Sequence, residues 1–176
     1  MVDVKAVANP LFLREEELRQ AIEMLFFAYR DFTGEPDSML AELGLGRAHH
    51  RVIYFVGRNP GITVSELLNI LKITKQSLSR VLSHLVSEGY INQRPGDRDR
   101  RQRLLSLTDK GVELEHRLTA NQRERIAAAF RTAGADAVQG FRLVLHGIID
   151  PEDRRRFDIG RSKPGMPPTR TAAGHR

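Results

Sequence analysis

The stretch that decides the fold is TVSELLNILKITKQSLSRVLSHLVSEGYINQRPGDRDRRQRLLSLT, residues 63–108. Its second helix-forming segment repeats apolar side chains every three or four positions, which gathers them on one side of an α-helix. Such a helix must bury that side against another element of the chain. The apolar positions are Leu78, Val81, Leu82, Leu85 and Val86.

The opposite side of the same helix is polar and has no carboxylate before Glu88. Its hydroxyl, amide and cationic groups can approach a phosphate backbone without charge repulsion. This side is therefore the predicted reading surface for a nucleic acid. Its members are Lys75, Gln76, Ser79, Arg80, Ser83 and Ser87.

Local signals place the ends of two helices. Thr63 and Glu66 have the spacing of a capping box, so a helix is predicted to begin there. Thr74 is placed to cap the second helix, and Gly89 is placed to end it in a left-handed conformation. Only a short turn fits between the two helices, which are therefore predicted to cross as a helix-turn-helix.

Two strands over residues 90–94 and 103–107 are predicted to follow, joined by a loop rich in arginine. Between residues 94 and 103 there are five arginines and two aspartates, a net charge of +3. A basic hairpin beside a reading helix is typical of a nucleic-acid binder. Thr108 and Asp109 are then placed to cap the next helix, with the carboxylate at the positive end of its dipole.

The order of these motifs resembles the winged helix-turn-helix of the MarR family of bacterial transcription regulators, over about residues 11–150. The resemblance implies a mainly α fold with a small β wing, in which N- and C-terminal helices form a dimer. It also implies a homodimer that binds a pseudo-palindromic operator in double-stranded DNA, most commonly as a repressor that responds to a small ligand. The motifs are Glu88-Gly89-Tyr90-Ile91, Asp99-Arg100-Arg101 and Leu107-Thr108-Asp109-Lys110-Gly111.

Length and composition limit the function classes. A chain of 176 residues can bury its own core, and the absence of cysteine excludes a disulfide framework, a thiolate metal site and a thiol nucleophile. The sequence has neither a long apolar run nor the pattern of a signal peptide, so we expect a cytoplasmic protein. The formal charge of +6 is concentrated in the basic hairpin and in residues 151–176, although a solvated loop and a basic tail are the alternative interpretation.

The chain is predicted to comprise four parts. Residues 1–10 form a loose arm, residues 11–36 and 109–150 a helical dimerisation region, residues 37–108 the winged helix-turn-helix, and residues 151–176 a disordered basic tail. The first helix is predicted to end at Gly34-Glu35-Pro36. Its wide apolar side suits a dimer interface, with a buried core helix as the alternative; the residues are Leu18, Ile22, Leu25, Phe26, Phe27, Tyr29 and Phe32.

The resemblance implies roles for individual side chains in binding DNA. Gln76 and Arg80 can make bidentate contacts to base edges in the major groove, while Ser77 either assists them or caps the helix. Arg101 is predicted to enter the minor groove, and Asp99 to hold it or a nearby arginine in place. Ser79 assists the base contacts or binds phosphate, and the predicted phosphate contacts of the wing are Arg98, Arg100 and Arg103. Lys75 and Ser83 are also predicted to contact DNA.

A ligand site is also implied, in the cleft between the dimer and DNA-binding regions. Its candidate walls are Phe27, Arg30, His49, His50 and Ile53. The two histidines point about 100° apart on a helix and are unsuited to bind one metal ion together. A polar packing role, or a protonation contact beneath the DNA-binding lobe, is the alternative, and no metal or cofactor is expected.

Two other function classes are the alternatives. A nonspecific architectural DNA-binding protein would use the same basic hairpin and tail without discriminating between sequences. An enzyme is not expected, because the sequence shows no carboxylate pair, glycine-rich phosphate loop or Ser/His/Asp set.

Overall fold

The computed structural model describes residues 11–97 and 99–157, apart from the side chain of Phe12. The predicted loose arm, Arg98 and residues 158–176 of the predicted tail lie outside the described residues. A 3₁₀ turn at Leu11–Leu13 precedes the first helix. The elements are then α1 (Glu15–Glu42), α2 (Arg47–Arg58), β1 (Ile62–Thr63), α3 (Val64–Leu71), α4 (Lys75–Ser87), β2 (Ile91–Pro95), β3 (Arg103–Leu107), α5 (Asp109–Ala133), α6 (Ala135–Ile148) and α7 (Pro151–Arg154).

The predicted helix caps are present in the helix-turn-helix, which α3 and α4 form. The hydroxyl of Thr63 accepts a hydrogen bond from the backbone amide of Glu66 at 3.1 Å, and the Glu66 carboxylate accepts one from the Thr63 amide at 2.8 Å. The Thr63 hydroxyl also donates to this carboxylate at 2.8 Å, and the two bonds donated by Thr63 lower the pKa of Glu66. Thr74 caps α4 in the same way, accepting from the Ser77 amide at 3.1 Å. Lys72 takes the left-handed conformation in the turn between the helices, with φ of 51°.

The predicted hairpin is part of a three-stranded antiparallel sheet with the order β1-β3-β2. Its register pairs Ile91 with Leu107 at the base and Pro95 with Arg103 near the loop. Strand β1 was missed by the sequence analysis, because two residues are too short to show an alternating pattern. The fold class, mainly α with a small β wing, is confirmed.

The first compact unit ends at Ile126 and contains the hydrophobic core of the described chain. Side chains from α1 to α5 and from all three strands meet in this core, so the reading helix and the hairpin share one support. Its members are Leu40, Leu45, Val52, Ile53, Val56, Ile62, Leu67, Leu78, Leu82, Leu85, Tyr90, Ile91, Leu105, Leu114 and Leu118.

The predicted end of the first helix is wrong, because α1 continues through Gly34 and Pro36 to Glu42. A proline inside a helix has no amide hydrogen, which leaves the carbonyl four residues earlier without its helical donor. That carbonyl belongs to Phe32, and it accepts a hydrogen bond from the side-chain amide of Gln122 in α5 at 3.2 Å. The tertiary contact thus replaces the missing backbone bond.

The second compact unit begins at Ala127 and contains the end of α5 together with α6 and α7. Phe130 and Phe141 pack edge to face within it, with ring centroids 5.9 Å apart. The prediction of a disordered tail from residue 151 is wrong for its first residues, which form α7. Pro151 suits the first helical position, and Arg154 donates to the carbonyl oxygens of Ile149 and Gly147 at 2.8 and 2.9 Å.

No helix among the described residues is both long enough and apolar enough to cross a membrane.

We predict that Gln122→Leu lowers the free energy of unfolding by about 1–3 kcal/mol, because it leaves the Phe32 carbonyl without a donor. In a Pro36→Ala background, the restored amide of residue 36 can bond that carbonyl, so the same substitution should cost less. Urea unfolding of the four proteins at one protein concentration measures the coupling. The exposed Gln93→Leu is the control. Equal costs in both backgrounds would contradict the proposed exchange of donors.

Candidate nucleic-acid interface

The apolar side of α4 is turned into the core as predicted, with one exception. Leu78 and Leu85 have no exposed surface, and Leu82 is 6% exposed. Val86 was predicted to be buried with them, but it is 37% exposed. It lies at the edge of the apolar side, about 100° beyond Leu85 around the helix, so it falls outside the packed strip.

The polar side of α4 consequently faces away from the core. Helix α4 contains no carboxylate, and all six of its predicted contact residues are exposed: Lys75, Gln76, Ser77, Ser79, Arg80 and Ser83. The Ser77 hydroxyl accepts a hydrogen bond from the hydroxyl of Thr74 at 2.8 Å, which engages it in the cap of the helix. The other five side chains form an uninterrupted polar surface.

The C-terminal end of α4 lies at Gly89 as predicted, and it is held by two contacts that the sequence analysis did not predict. Gly89 ends the helix with φ of +74°, and its carbonyl accepts from the Thr108 hydroxyl at 2.7 Å. The ammonium of Lys110 donates to the Glu88 carbonyl at 2.7 Å and lies 4.2 Å from the centre of the Tyr90 ring. A cation at the negative end of a helix dipole is favourable, but Lys110 lies 22 positions beyond Glu88, so no local pattern identifies it.

The hairpin is closed by a tight turn at its tip. The Gly96 amide donates to the carbonyl of Gln102, and the Gln102 amide donates to the carbonyl of Asp99, both at 3.0 Å. A Cβ atom at Gly96 would lie 2.7 Å from that Asp99 oxygen, so a larger residue would displace the turn. The side chain of Asp99 accepts from the backbone amide of Arg101 at 2.9 Å. Asp99 therefore fixes the backbone of Arg101 and leaves its guanidinium free to project.

The positive charge of the hairpin is unevenly distributed. Arg94, near the loop end of β2, is paired with Asp97 at 2.9 Å. Arg100, Arg101 and Arg103 are exposed, and none of them forms an ion pair within the described residues. Both hairpin aspartates are thus occupied locally, while cationic side chains remain available beside α4.

His49 and His84 join α2 to the reading helix. The Nε2 atom of His49 lies 3.0 Å from Nδ1 of His84, and the ring planes are inclined by 82°. The backbone amide of Gly46 donates to the other ring nitrogen of His49 at 3.1 Å. Burial lowers the pKa of His49, and the neighbouring His84 lowers it further.

The five predicted ligand-site residues have different surroundings. Phe27 is 47% exposed and is covered by the guanidinium of Arg30 at 4.7 Å, while His49 is bonded to His84. His50 is half-buried, and burial lowers its pKa. Ile53 has no exposed surface because it packs in the core, so its prediction as a wall of a ligand site is wrong for this structure.

Within residues 11–97 and 99–157 no three His, Asp or Glu side chains are grouped so that they could hold a metal ion. The feature that the structure assembles is instead an exposed, carboxylate-free helix face, held by a packed core beside a basic antiparallel hairpin. These are the parts of a winged helix-turn-helix protein that binds DNA.

A family model described as MarR family matches residues 43–102. The chain is also 51% identical, over 149 residues, to the HTH-type transcriptional regulator PetP of Rhodobacter capsulatus, with 85% of this chain and 90% of PetP covered. The chain therefore belongs to the MarR family. It is a DNA-binding transcription regulator, and the expectation that it is not an enzyme is confirmed.

Solved structures show the same fold. A mutant MarR from E. coli complexed with operator DNA is 22% identical, has a TM-score of 0.58, and matches over 81% of this chain and 100% of its own. Streptococcus pneumoniae FabT in complex with DNA is 22% identical, has a TM-score of 0.61, and matches over 72% of this chain and 92% of its own.

Proposed function

We propose that this regulator is a homodimeric, sequence-specific repressor that binds a pseudo-palindromic operator and responds to a small ligand. The observation that carries the proposal is the exposed face of α4, where Gln76 and Arg80 stand free on a helix whose other side is locked in the core. Two proteins of similar fold have been solved in complex with DNA, which supports DNA binding by this chain.

In this proposal α4 enters the major groove. Gln76 reads adenine through its amide, and Arg80 reads guanine through its guanidinium, because each can form two hydrogen bonds to the base edge. Lys75, Ser79 and Ser83 contact phosphates and fix the position of the helix without reading sequence. Ser77 contributes chiefly through the cap, since its hydroxyl already accepts a hydrogen bond from Thr74.

The hairpin acts as the wing beside the reading helix. Arg101 enters the minor groove, where a narrow A·T-rich segment concentrates negative potential. Asp99 supports it by holding the local backbone rather than by pairing with its guanidinium. Arg98, Arg100 and Arg103 contact the flanking phosphates, in agreement with the exposure of the last two.

Dimerisation is supported by apolar surface that one chain does not cover. On α1, Ile22 is 69% exposed, Phe26 62% and Leu25 50%; on α6, Val144 and Ile148 are each 63% exposed. Apolar surface on this scale marks an interaction site more often than a solvated surface. A two-fold symmetric dimer would present two copies of α4 to half-sites whose centres are about 10 base pairs apart.

A ligand would regulate the dimer by binding one spacing of the two reading helices more tightly than another. The proposed contacts are Phe27, Arg30, His49 and His50, which all have some exposed surface, whereas Ile53 would have to leave the core first.

Selection of bound duplexes from a random pool tests the proposal. We expect a pseudo-palindrome that is bound about 10³-fold more tightly than a scrambled duplex at the same salt concentration. Gln76→Ala and Arg80→Ala should each relax the preference for one base per half-site by about 1–3 kcal/mol. A pool with no consensus would favour the nonspecific architectural protein. An equal loss of affinity for every sequence would show that Gln76 and Arg80 contact the DNA backbone and not the bases.

Arg101→Ala should weaken binding to the selected duplex and reduce the slope of log affinity against log salt concentration by about 1, since one cationic contact is lost. Fluorescence anisotropy over a salt series measures both quantities. Arg101→Lys keeps the charge and should keep the slope, and Arg19→Ala, on the distant α1, is the control for total charge. An unchanged salt slope in Arg101→Ala would show that this side chain does not contact DNA.

Ile22→Glu should convert the dimer to a monomer, because a carboxylate would be buried at the proposed interface. Sedimentation velocity at several protein concentrations measures the change. Val86→Glu, which adds the same charge to another exposed apolar position, should remain dimeric. A dimeric Ile22→Glu protein would exclude this face of α1 from the interface.

A further inference from the structure

The contact between His49 and His84 links the reading helix to the helix beneath it. His84 lies in the last turns of α4, and its Nδ1 atom is 3.0 Å from Nε2 of His49 in α2. The ring centroids are 5.0 Å apart and the ring planes are nearly perpendicular, so the two rings do not stack. The caps at Thr74 and Gly89 hold the two ends of α4, and this bond holds it from the side.

The hydrogen-bond partners allow one placement of the protons when both rings are neutral. The Gly46 amide donates to Nδ1 of His49, so that atom must carry a lone pair. A neutral imidazole has one donor and one acceptor nitrogen, which places the proton of His49 on Nε2. Nε2–H of His49 then donates to Nδ1 of His84, and the proton of His84 lies on its own Nε2.

An added proton breaks this arrangement wherever it binds. If His49 takes it, the proton occupies Nδ1 and faces the Gly46 amide hydrogen. If His84 takes it on Nδ1, that N–H faces Nε2–H of His49. Moving the His49 proton to Nδ1 would remove this second conflict but restore the first one at Gly46. The protonated pair therefore loses either the contact between the rings or the bond to Gly46.

The charged groups around the pair do not offset this effect. Among the described residues, His84 is the one titratable side chain whose charge acts on His49. The carboxylates on the helices packed against α2 act on His50 instead: burial lowers the pKa of His50 most, Asp37 of α1 and Glu115 of α5 raise it, and Arg51 lowers it. Arg80 on α4 lies one turn before His84, and Glu88, directly after the helix, lies one turn beyond it; both are exposed.

We propose that His49 is a positioning residue for DNA recognition, which holds α4 through His84 while both imidazoles are neutral and releases it when the pair takes up a proton. The inference rests on the proposed function of α4 as the reading helix. Base contacts by Gln76 and Arg80 require a fixed helix orientation, so loss of a lateral support weakens specific binding more than nonspecific binding. Acidification thereby acts as a signal on operator affinity.

The lowered pKa of His49 determines how the stability of the folded protein changes with pH. Because folding lowers the pKa of His49 below its usual value of 6.5, the unfolded chain binds the proton more readily. The stabilisation is complete above pH 6.5 and is lost as the pH falls below it, through the lowered pKa of the folded protein. We therefore expect both stability and specific DNA affinity to decline below about pH 6.5.

The test compares affinities for the duplex selected at pH 8 and for its scrambled version, from pH 5.5 to 8 at constant ionic strength. His49→Asn keeps an acceptor for the Gly46 amide but removes the donor to His84. At pH 8 it should bind the selected duplex about three- to tenfold more weakly than wild type, the range for loss of one hydrogen bond. That ratio should decrease as the pH falls below about 6.5, since protonation of the wild-type pair costs either the contact between the rings or the bond to Gly46.

Two further variants separate positioning from general instability. His84→Asn places an amide oxygen near the position of Nδ1 and should keep wild-type affinity at pH 8. His84→Leu offers no acceptor and should weaken binding at that pH. His116→Asn, an exposed histidine on α5, should reproduce the wild-type pH profile. Parallel profiles for wild type and His49→Asn, or equal affinities at pH 8, would overturn the proposal.

A measurement without DNA keeps the inference separate from the proposed function. Nitrogen-15 chemical shifts of labelled histidine should report the Nε2–H tautomer for both rings at pH 8. The Nδ1–H tautomer at His49 would overturn the pairing even if DNA binding is normal. Failure to prefer the selected duplex at pH 8 would instead refute the proposed function.

Discussion

Burial of three leucines on one side of α4 is the constraint on which the rest of the structure depends. Leu78, Leu82 and Leu85 are packed in the core, and burial of each such side chain contributes about 1.5–3 kcal/mol. A helix cannot rotate about its axis without exposing them. The same burial therefore fixes which residues face outward, and the polar face from Lys75 to Ser83 follows from it as a geometric consequence.

Local bonds in the wing determine which of its charged side chains remain available to DNA. The carboxylate of Asp97 is occupied by Arg94 and that of Asp99 by the backbone amide of Arg101. An exposed ion pair of this kind adds little stability. Its effect is instead on the field near the reading helix, because the Arg94–Asp97 pair is neutral and Asp99 is outnumbered by the exposed Arg100, Arg101 and Arg103.

The long first helix illustrates a conflict between local and tertiary preferences. Glycine and proline at positions 34–36 favour an end, yet α1 runs on to Glu42 because Gln122 satisfies the Phe32 carbonyl. The apolar side of its N-terminal half is exposed in the single chain, which excludes the interpretation as an intramolecular core helix. That half of α1 is instead suited to contact a second molecule.

The sequence alone determined the helix-turn-helix, the hairpin and the exposure of the reading face, because caps, helical periodicity and strand pattern act within a few residues. Only the tertiary structure decided the continuation of α1, the burial of Ile53, the fixing of α4 by Lys110 and the pairing of His49 with His84. Each of these joins residues between 22 and 90 positions apart or depends on packing from several elements. Such contacts leave no periodic or local signal, since their partners meet only when the core has formed.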